Sequence, residues 1–445
     1  MRKLGAAAFV SYFAVSILGT VSCLSFCHAA HAKPPVRQLP GNQAMPVDRL
    51  PDSINKSLAH LLRLRSADDR YSVRAFFDDH PELHNNSRAL AESALNYAAI
   101  GWVNDSIQLI ERAEKLSPRD DYVLASKAWI LYKAKKASAG LRPATEAVKS
   151  KPSARNLAIL SEVFRGMGDD AKAEEALSKA ADVDADSIDV VGAKIRMSRG
   201  RFKGSAGVKY ATDFLKKHPK DLRALILRSE VWELLGKNKD AIADLSTVLA
   251  LKPDHLYAYQ KRAERYQKER DFKAAVKDVR KLQTFKLDPS AMVIANGTLA
   301  ECLESLGDLK GALEARKRNY VLERKISSFD LMRGDVKQLN SGFARDSIEY
   351  CRLEIALKQY GTALPKLNSI LVAYPNNTQA RELRARALEG LSRWNEALTD
   401  WDRLINKHSS FPKWYESRAA VYQKLGKADA ARSDLETARK LSQDP

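Results

Sequence analysis

The densest run of side chains able to bind metal or move protons is "DDHPELH", which gathers Asp78, Asp79, His80, Glu82 and His84. Carboxylates and imidazoles are zinc ligands. A helical zinc site needs two His one turn apart on one face, and Pro81 breaks the helix that would align this pair. The stretch reads first as a helix end, with a metal site as the alternative. Beyond the first 32 residues the thiols are Cys302 and Cys351, too few for a disulfide framework; both read as buried structural groups, with a disulfide between them as the other option. An Arg-Gly-Asp tripeptide stands at Arg333–Asp335 and is too short to specify adhesion. Asn85 and Asn376 open Asn-x-Ser/Thr sequons, which matter only in a host that glycosylates exported proteins. His60, His218, His255 and His408 fall near expected helix ends, where a cationic ring suits the terminal carbonyls. The sequence contains no phosphate loop, no His-Glu-x-x-His, no Gly-x-Ser-x-Gly and no paired Cys-x-x-Cys. The expectation is a non-catalytic protein with no cofactor and no metal. An enzyme built on the His80 cluster is the third-ranked class.

Composition narrows the alternatives. The chain has 445 residues, 45% of them hydrophobic, and a formal charge of +19 from 74 Lys and Arg against 55 Asp and Glu. That is a folded, charged-surface composition, and an excess of this size implies anionic company or simply a soluble surface. Residues 1–32 read as a signal peptide: Arg2 and Lys3, an uncharged run from Leu4 to Phe26, then Ala30-His31-Ala32 as a small-x-small cleavage pattern. An uncleaved N-terminal anchor, giving membrane association, is the competing reading. Lipid attachment at Cys23 ranks last, because Thr20 stands where a lipobox carries an aliphatic residue. All three readings export the protein, as a periplasmic, envelope-associated or secreted chain, and remove nucleic acid from the expected partners. Residues 33–51 carry Pro34, Pro35, Pro40, Pro46 and Pro51, an extended tether. Residues 52–84 read as an irregular helix pair that caps the rest of the chain.

From about residue 85 the sequence repeats. Aligned on a break residue (Gly101, Lys135, Gly168, Gly200, Gly236, Arg270, Gly307, Lys358, Ser392, Gly426), most intervals are 33 to 36 residues. Seven before the breaks stand Ala94, Ala128, Ser161, Ala193, Ser229, Ala263, Ala300, Cys351, Ala385 and Ala419. Five after them stand Ser106, Gly140, Ala173, Ser205, Ala241, Ala275, Ala312, Ala363, Ala397 and Ala431. All are small, as two helices require where they approach closely. Aromatic or aliphatic residues fill the position four before most breaks, among them Tyr97, Phe164, Trp232 and Tyr422. Pro follows many second helices, as at Pro118, Pro152, Pro219 and Pro253. A period of this size with these features predicts an all-α solenoid, a superhelix of antiparallel helix pairs.

The pattern resembles the tetratricopeptide repeat over about residues 85–445, with about ten units. Residues 85–325 hold units one to seven, 326–347 form an insertion or hinge, and 348–445 hold units eight to ten. Units four and eight depart from it, with Asp189, Arg196, Ser347 and Glu354 at positions usually apolar. The resemblance implies a protein-interaction scaffold whose first helices line a concave groove. Carried over by register, the slot thirteen before each break faces that groove: Arg88, Tyr122, Arg155, Ser187, Arg223, Tyr257, Ile294, Arg345, Gln379 and Lys413. The slot six before it is mixed, with Trp129, then Glu162, Glu230, Glu264 and Glu301, then Arg352 and Arg386. Guanidinium forks bind carboxylates and Tyr supplies flat area with a hydroxyl, so the expected ligand is an acidic, extended peptide or protein segment. The Lys/Asn carboxylate clamp of chaperone-binding members is missing. The alternative is an anionic envelope polymer or lipid headgroups held on the basic surface.

Overall fold

The computed structural model describes residues 51–66, 69–200, 204–285, 287, 289–331 and 341–443. The expected leader, nearly all of the tether, and residues 332–340 of the interruption (with the Arg333–Asp335 tripeptide) lie outside the described residues. Among the described residues the regular structure is entirely helical. Two helices open it, α1 (Asp52–Ser66) and α2 (Arg70–Asp79), with a 3-10 turn at Pro81–Asn85. Helices then alternate in register with the breaks: α3 (Ser87–Ala99) and α4 (Val103–Leu116), α5 (Asp121–Lys133) and α6 (Ala137–Ser150), α7 (Ala154–Gly166) and α8 (Asp170–Asp184), α9 (Ile188–Gly200) and α10 (Gly204–Lys217). Next come α11 (Leu222–Leu234) and α12 (Asn238–Leu251), α13 (Leu256–Lys268) and α14 (Phe272–Leu282), α15 (Pro289–Ser305) and α16 (Leu309–Leu331). The chain ends with α17 (Ser341–Ala356) and α18 (Tyr360–Ala373), α19 (Thr378–Gly390) and α20 (Trp394–Lys407), α21 (Pro412–Lys424) and α22 (Ala428–Gln443). The chain divides into two compact units between Thr298 and Leu299, inside α15. Each unit is an all-α solenoid in which most helices pack against their pair partner and against the neighbouring pair.

The breaks work because of one backbone state. Gly101, Gly168, Gly236, Gly307 and Gly426 have positive φ, and so do Lys135, Arg270, Lys358 and Ser392. At Gly236 the amide donates to the Glu233 carbonyl and the next amide, Lys237, donates to Trp232. The same two bonds recur at every one of these nine residues, for instance Ser392 to Glu389 and Arg393 to Leu388. This is the Schellman termination, which requires a left-handed residue and satisfies the last free carbonyls. The residue four before the break, Trp232 or Leu388, supplies the carbonyl that accepts the second of these bonds. Many helices also start on a capping side chain, such as Asp120 on the Val123 amide and Asp221 on Ala224.

The small residues lie where the spacing predicts. All ten in the first helices are buried, and the approach is close enough for Ser106 Oγ to donate to the Ala94 carbonyl at 2.7 Å and Ser161 Oγ to the Ala173 carbonyl at 2.7 Å. The fourth break is a correction. Helix α9 runs through Gly200, so Gly200 is not the left-handed residue, and Ser205 is exposed. The close approach falls instead at Gly207, where an added Cβ would sit 2.8 Å from Ser198 Oγ. Within the eighth pair Glu354 is buried and receives Lys366 Nζ at 2.8 Å, which lets a carboxylate occupy an apolar slot.

Candidate partner-binding face

First helices touch one another along each unit, α3 with α5, α5 with α7, α7 with α9 and α9 with α11. They therefore form one continuous face of the N-terminal unit, and charged side chains link it in steps of one repeat. Arg196 of α9 reaches back to Glu162 of α7 at 2.6 Å, Arg223 of α11 to Asp189 of α9 at 3.2 Å, and Arg265 of α13 to Glu233 of α11 at 2.8 Å. Burial would raise the Asp189 carboxyl, but Arg223, Arg155 and Arg196 hold it below its ordinary value. Arg223, expected to await a ligand, is thus engaged within the protein. Glu162 also receives Arg165, and Glu264 receives Lys261.

At the N-terminal end of this face Arg88, Tyr122 and Arg155 come together. The Arg88 and Arg155 guanidinium carbons lie 3.2 and 3.7 Å from the Tyr122 ring centroid. Two guanidiniums that close cannot share one face of a ring, so the ring is held between them. The Tyr122 hydroxyl donates to buried Glu92 at 2.6 Å, and Arg88 Nε donates to the same oxygen at 3.1 Å. Burial, reinforced by Glu92, pushes the Tyr122 phenol up to about 12 against the pull of Arg155. Arg155 differs from Arg196, Arg223 and Arg265 in making no ion pair among the described residues. Nη2 donates to Ser126 Oγ at 3.0 Å, Nη1 is buried with no hydrogen-bond partner, and among the described residues no carboxylate pairs with it. One turn along α5, Lys133 Nζ lies 5.6 Å from the ring of Trp129 and also lacks an ion-pair partner among the described residues. Its pKa is lowered, first by burial and then by Arg196 and Arg70. Lys133 was not singled out by register; its signal is its place on the same helix face as Trp129, four residues on.

Tyr257, another residue of the expected slot, meets helix α2. The Arg70 guanidinium carbon of α2 lies 4.3 Å from the Tyr257 ring centroid, and the group donates to the Tyr257 hydroxyl at 2.9 Å and to Glu230 at 2.9 Å. In the C-terminal unit Arg352 is clamped by Glu304 at 2.6 Å and Glu349 at 2.7 Å, which raise its pKa further. Arg386 pairs with Glu382 at 2.6 Å and borders a cavity of about 400 Å³ with Tyr360, Glu389 and Trp394. Arg345 and Lys413 are exposed in that unit. The expected residues therefore fall into separate groups, of which Arg88, Tyr122 and Arg155 form the tightest.

A second pattern went unread in the sequence. Arg228, Arg262, Arg384 and Arg418 each fork onto an Asp sixteen residues later: Asp244, Asp278, Asp400 and Asp434, at 2.6 to 2.9 Å. The remaining nitrogen, Nη1, donates sixteen residues back, to Thr212, Ser246, Asn368 and Asp402. Each guanidinium thus ties its own helix to its pair partner and to the second helix of the preceding pair. The signal was available: Arg eight before the break with Asp eight after it.

The chemistry-bearing cluster is locally engaged. His80 Nδ1 lies 2.7 Å from the Phe76 carbonyl and its ring stacks on Phe76. His84 Nε2 lies 3.0 Å from the Phe77 carbonyl, Glu82 accepts from Ser57, and Asp78 accepts from Tyr97. These are the contacts of a helix end. Among the described residues no group of three His, Cys, Asp or Glu is arranged to hold a metal ion, and no helix is long and apolar enough to cross a membrane. Cys302 and Cys351 are buried and not joined in a disulfide, and burial pushes the Cys351 thiol up to about 12.

No family model and no curated protein matches the chain. Many solved structures do. MamA from Desulfovibrio magneticus is 17% identical, covers 43% of this chain and 97% of its own, and has a TM-score of 0.35. The C-terminal part of a TPR repeat-containing protein from Cytophaga hutchinsonii is 16% identical over 53% of this chain and 95% of its own, at 0.36. A tetratricopeptide repeat protein from Parabacteroides merdae is 14% identical over 57% of this chain and 100% of its own, at 0.35. The likeness is one of helical repeats, and the assignment of an all-α solenoid of TPR-like helix pairs rests on this chain's own Schellman breaks and small-residue contacts.

Proposed function

We propose that the protein is a non-catalytic interaction scaffold whose N-terminal unit binds an acidic, extended segment of a partner along its first helices. The observation that carries this reading is the pair Lys133 and Arg155. Their neighbours on the face are paired with carboxylates, whereas these two cations make no ion pair among the described residues and feel Asp189, Glu162 and Glu230 only at longer range, and Arg155 holds a buried, unused N–H. An unpaired buried donor is costly, and a ligand carboxylate would satisfy it. Trp129 adds flat apolar area beside Lys133. Site of action is proposed from the leader: export to the periplasm, the envelope or the exterior. Binding of anionic polymer or lipid over the basic exterior is the weaker reading, since outward lysines such as Lys209, Lys216 and Lys217 already face Asp213 and Asp186.

The test is fluorescence anisotropy of a labelled octa-glutamate peptide with the full chain, against a Lys133→Ala/Arg155→Gln variant. At moderate salt the variant is expected to bind at least tenfold more weakly. Equal binding by both proteins would move the interaction off this face.

A further inference from the structure

The seat of Arg70 is built from parts of the chain far apart in sequence. Glu230 lies on α11, Tyr257 on α13, and Arg70 at the first turn of α2. The guanidinium has the flat ring of Tyr257 at 4.3 Å, the phenol oxygen at 2.9 Å and the Glu230 carboxylate at 2.9 Å. Tyr257 also donates to Glu230 at 3.2 Å, which fixes both acceptors. A cation that offers two neighbouring N–H groups, Nη1 and Nη2, to the phenol and carboxylate oxygens while its central carbon lies 4.3 Å from the ring centroid fits this arrangement, and an ammonium would match only part of it. Beside it Lys252 Nζ reaches Asp69 at 2.9 Å.

The same helix pair is held by two kinds of contact. Val73 and Phe77 of α2, with Leu58 and Leu61 of α1, belong to an apolar cluster shared with α3, α4 and α5. Tyr257 and Ala258 of α13 belong to a different cluster, drawn from α9 to α13. No described apolar side chain of α2 is shared between them. Among the described side chains the bridge from α2 to α13 is polar, and part-buried polar contacts are weakened by salt and competing ligands.

We infer that Glu230 and Tyr257 form an arginine-binding seat on the inner face, that Arg70 fills it in cis, and that a partner's arginine takes the seat when the N-terminal helix pair lifts away. The inference rests on the proposed use of this face for a partner. It adds that the partner segment carries an arginine besides its acidic residues, and that the chain competes with its own ligand.

The experiment uses the full chain, ligand-observed NMR and two probes, N-acetyl-arginine amide and N-acetyl-lysine amide. Arg70→Ala is expected to bind the arginine probe at least tenfold more tightly than the wild type, with no such gain for the lysine probe. Adding Tyr257→Ala is expected to abolish the gain. Equal binding of the arginine probe by wild type and Arg70→Ala, or an equal gain for lysine, overturns the inference. Hydrogen exchange guards against a variant that merely misfolds. Arg70→Glu is expected to raise exchange at the start of α13 at least tenfold, and Arg70→Glu with Glu230→Arg to restore protection; failure of both changes also overturns it. The octa-glutamate result is read separately, so the proposed acidic ligand can fail while the arginine seat stands, and the reverse.

Discussion

Replacing Arg262 by Met tests whether the Arg–Asp forks hold the repeats together. Arg262 gives two hydrogen bonds of 2.7 Å to Asp278 and one of 3.0 Å to Ser246. Asp278 is buried, so removing the cation leaves a carboxylate without its counterion. Breaking a fully buried pair by deleting one member costs about 3–5 kcal/mol. The Arg262 side chain, however, is 18% exposed, and water can reach the vacated place. The expected loss is therefore about 2–3 kcal/mol, nearer a charge-assisted hydrogen-bond deletion than a sealed ion pair. A stacked array opens locally, so a single midpoint would mix several events. Native-state hydrogen exchange across α13 and α14 reads the right quantity, and a loss of that size is about 30- to 150-fold in protection. Two companions sharpen the result. Arg142→Met removes a pair whose Arg is 86% exposed and is expected to change nothing measurable. Arg262→Met with Asp278→Leu is expected to recover most of the loss, because an apolar pair of similar volume replaces the ionic one. The reasoning is refuted if Arg262→Met behaves like Arg142→Met, or if the double variant is as damaged as the single one.

The left-handed breaks predict opposite signs for opposite exchanges. Ser392→Gly and Lys358→Gly should each stabilise their pair by about 1 kcal/mol, and Gly236→Ala, which meets no atom within 4 Å, should destabilise by about the same amount, all by thermal or exchange measurement. The pH dependence of the C-terminal unit should follow Glu323. Burial and the adjacent Asp346 push its carboxyl up to about 8, against the opposing pull of Arg316. The folded value lies above the unfolded one, so this group's contribution is complete below the ordinary Glu range and is lost as pH rises through about 8. Thermal unfolding at pH 5, 7 and 9 should show that decline, and Glu323→Gln should flatten it. In Tyr122→Leu the two guanidiniums lose the ring between them and Glu92 loses a donor. Exchange in α3 and α5 should rise by about tenfold or more, while the C-terminal unit is unchanged.

Much of the fold was legible because its determinants are local and repeated. A left-handed terminator, an aromatic or aliphatic residue four earlier and small residues at fixed distances all depend on chain geometry within one helix pair. Lys135, Arg270, Lys358 and Ser392 were identifiable as breaks although they are not glycines, since the residues around them kept the pattern. The fourth pair misled for the same reason in reverse. Gly200 supplied the expected residue type, but a glycine can also be the last residue of a helix, and only the packing of Gly207 against Ser198 reveals the shifted register.

The site was less legible because register says which way a side chain faces and not what it meets there. Arg223 pairs with Asp189, which lies one repeat earlier at a position read only as a departure from the pattern. Searching one period back for the opposite charge would have found that pair and Arg196 with Glu162 as well. No period leads to Arg70, which precedes the first repeat and closes onto residues 160 and 187 positions away. The physical consequence is that a basic sequence does not make a basic groove. Each inward arginine matched by a carboxylate one repeat away is removed from the cations available to a ligand, and specificity passes to the few that the periodic pairing leaves over. On this face those are Lys133 and Arg155, and under the proposed function a partner would be selected less by the overall charge of the protein than by where its own repeats fail to neutralise one another.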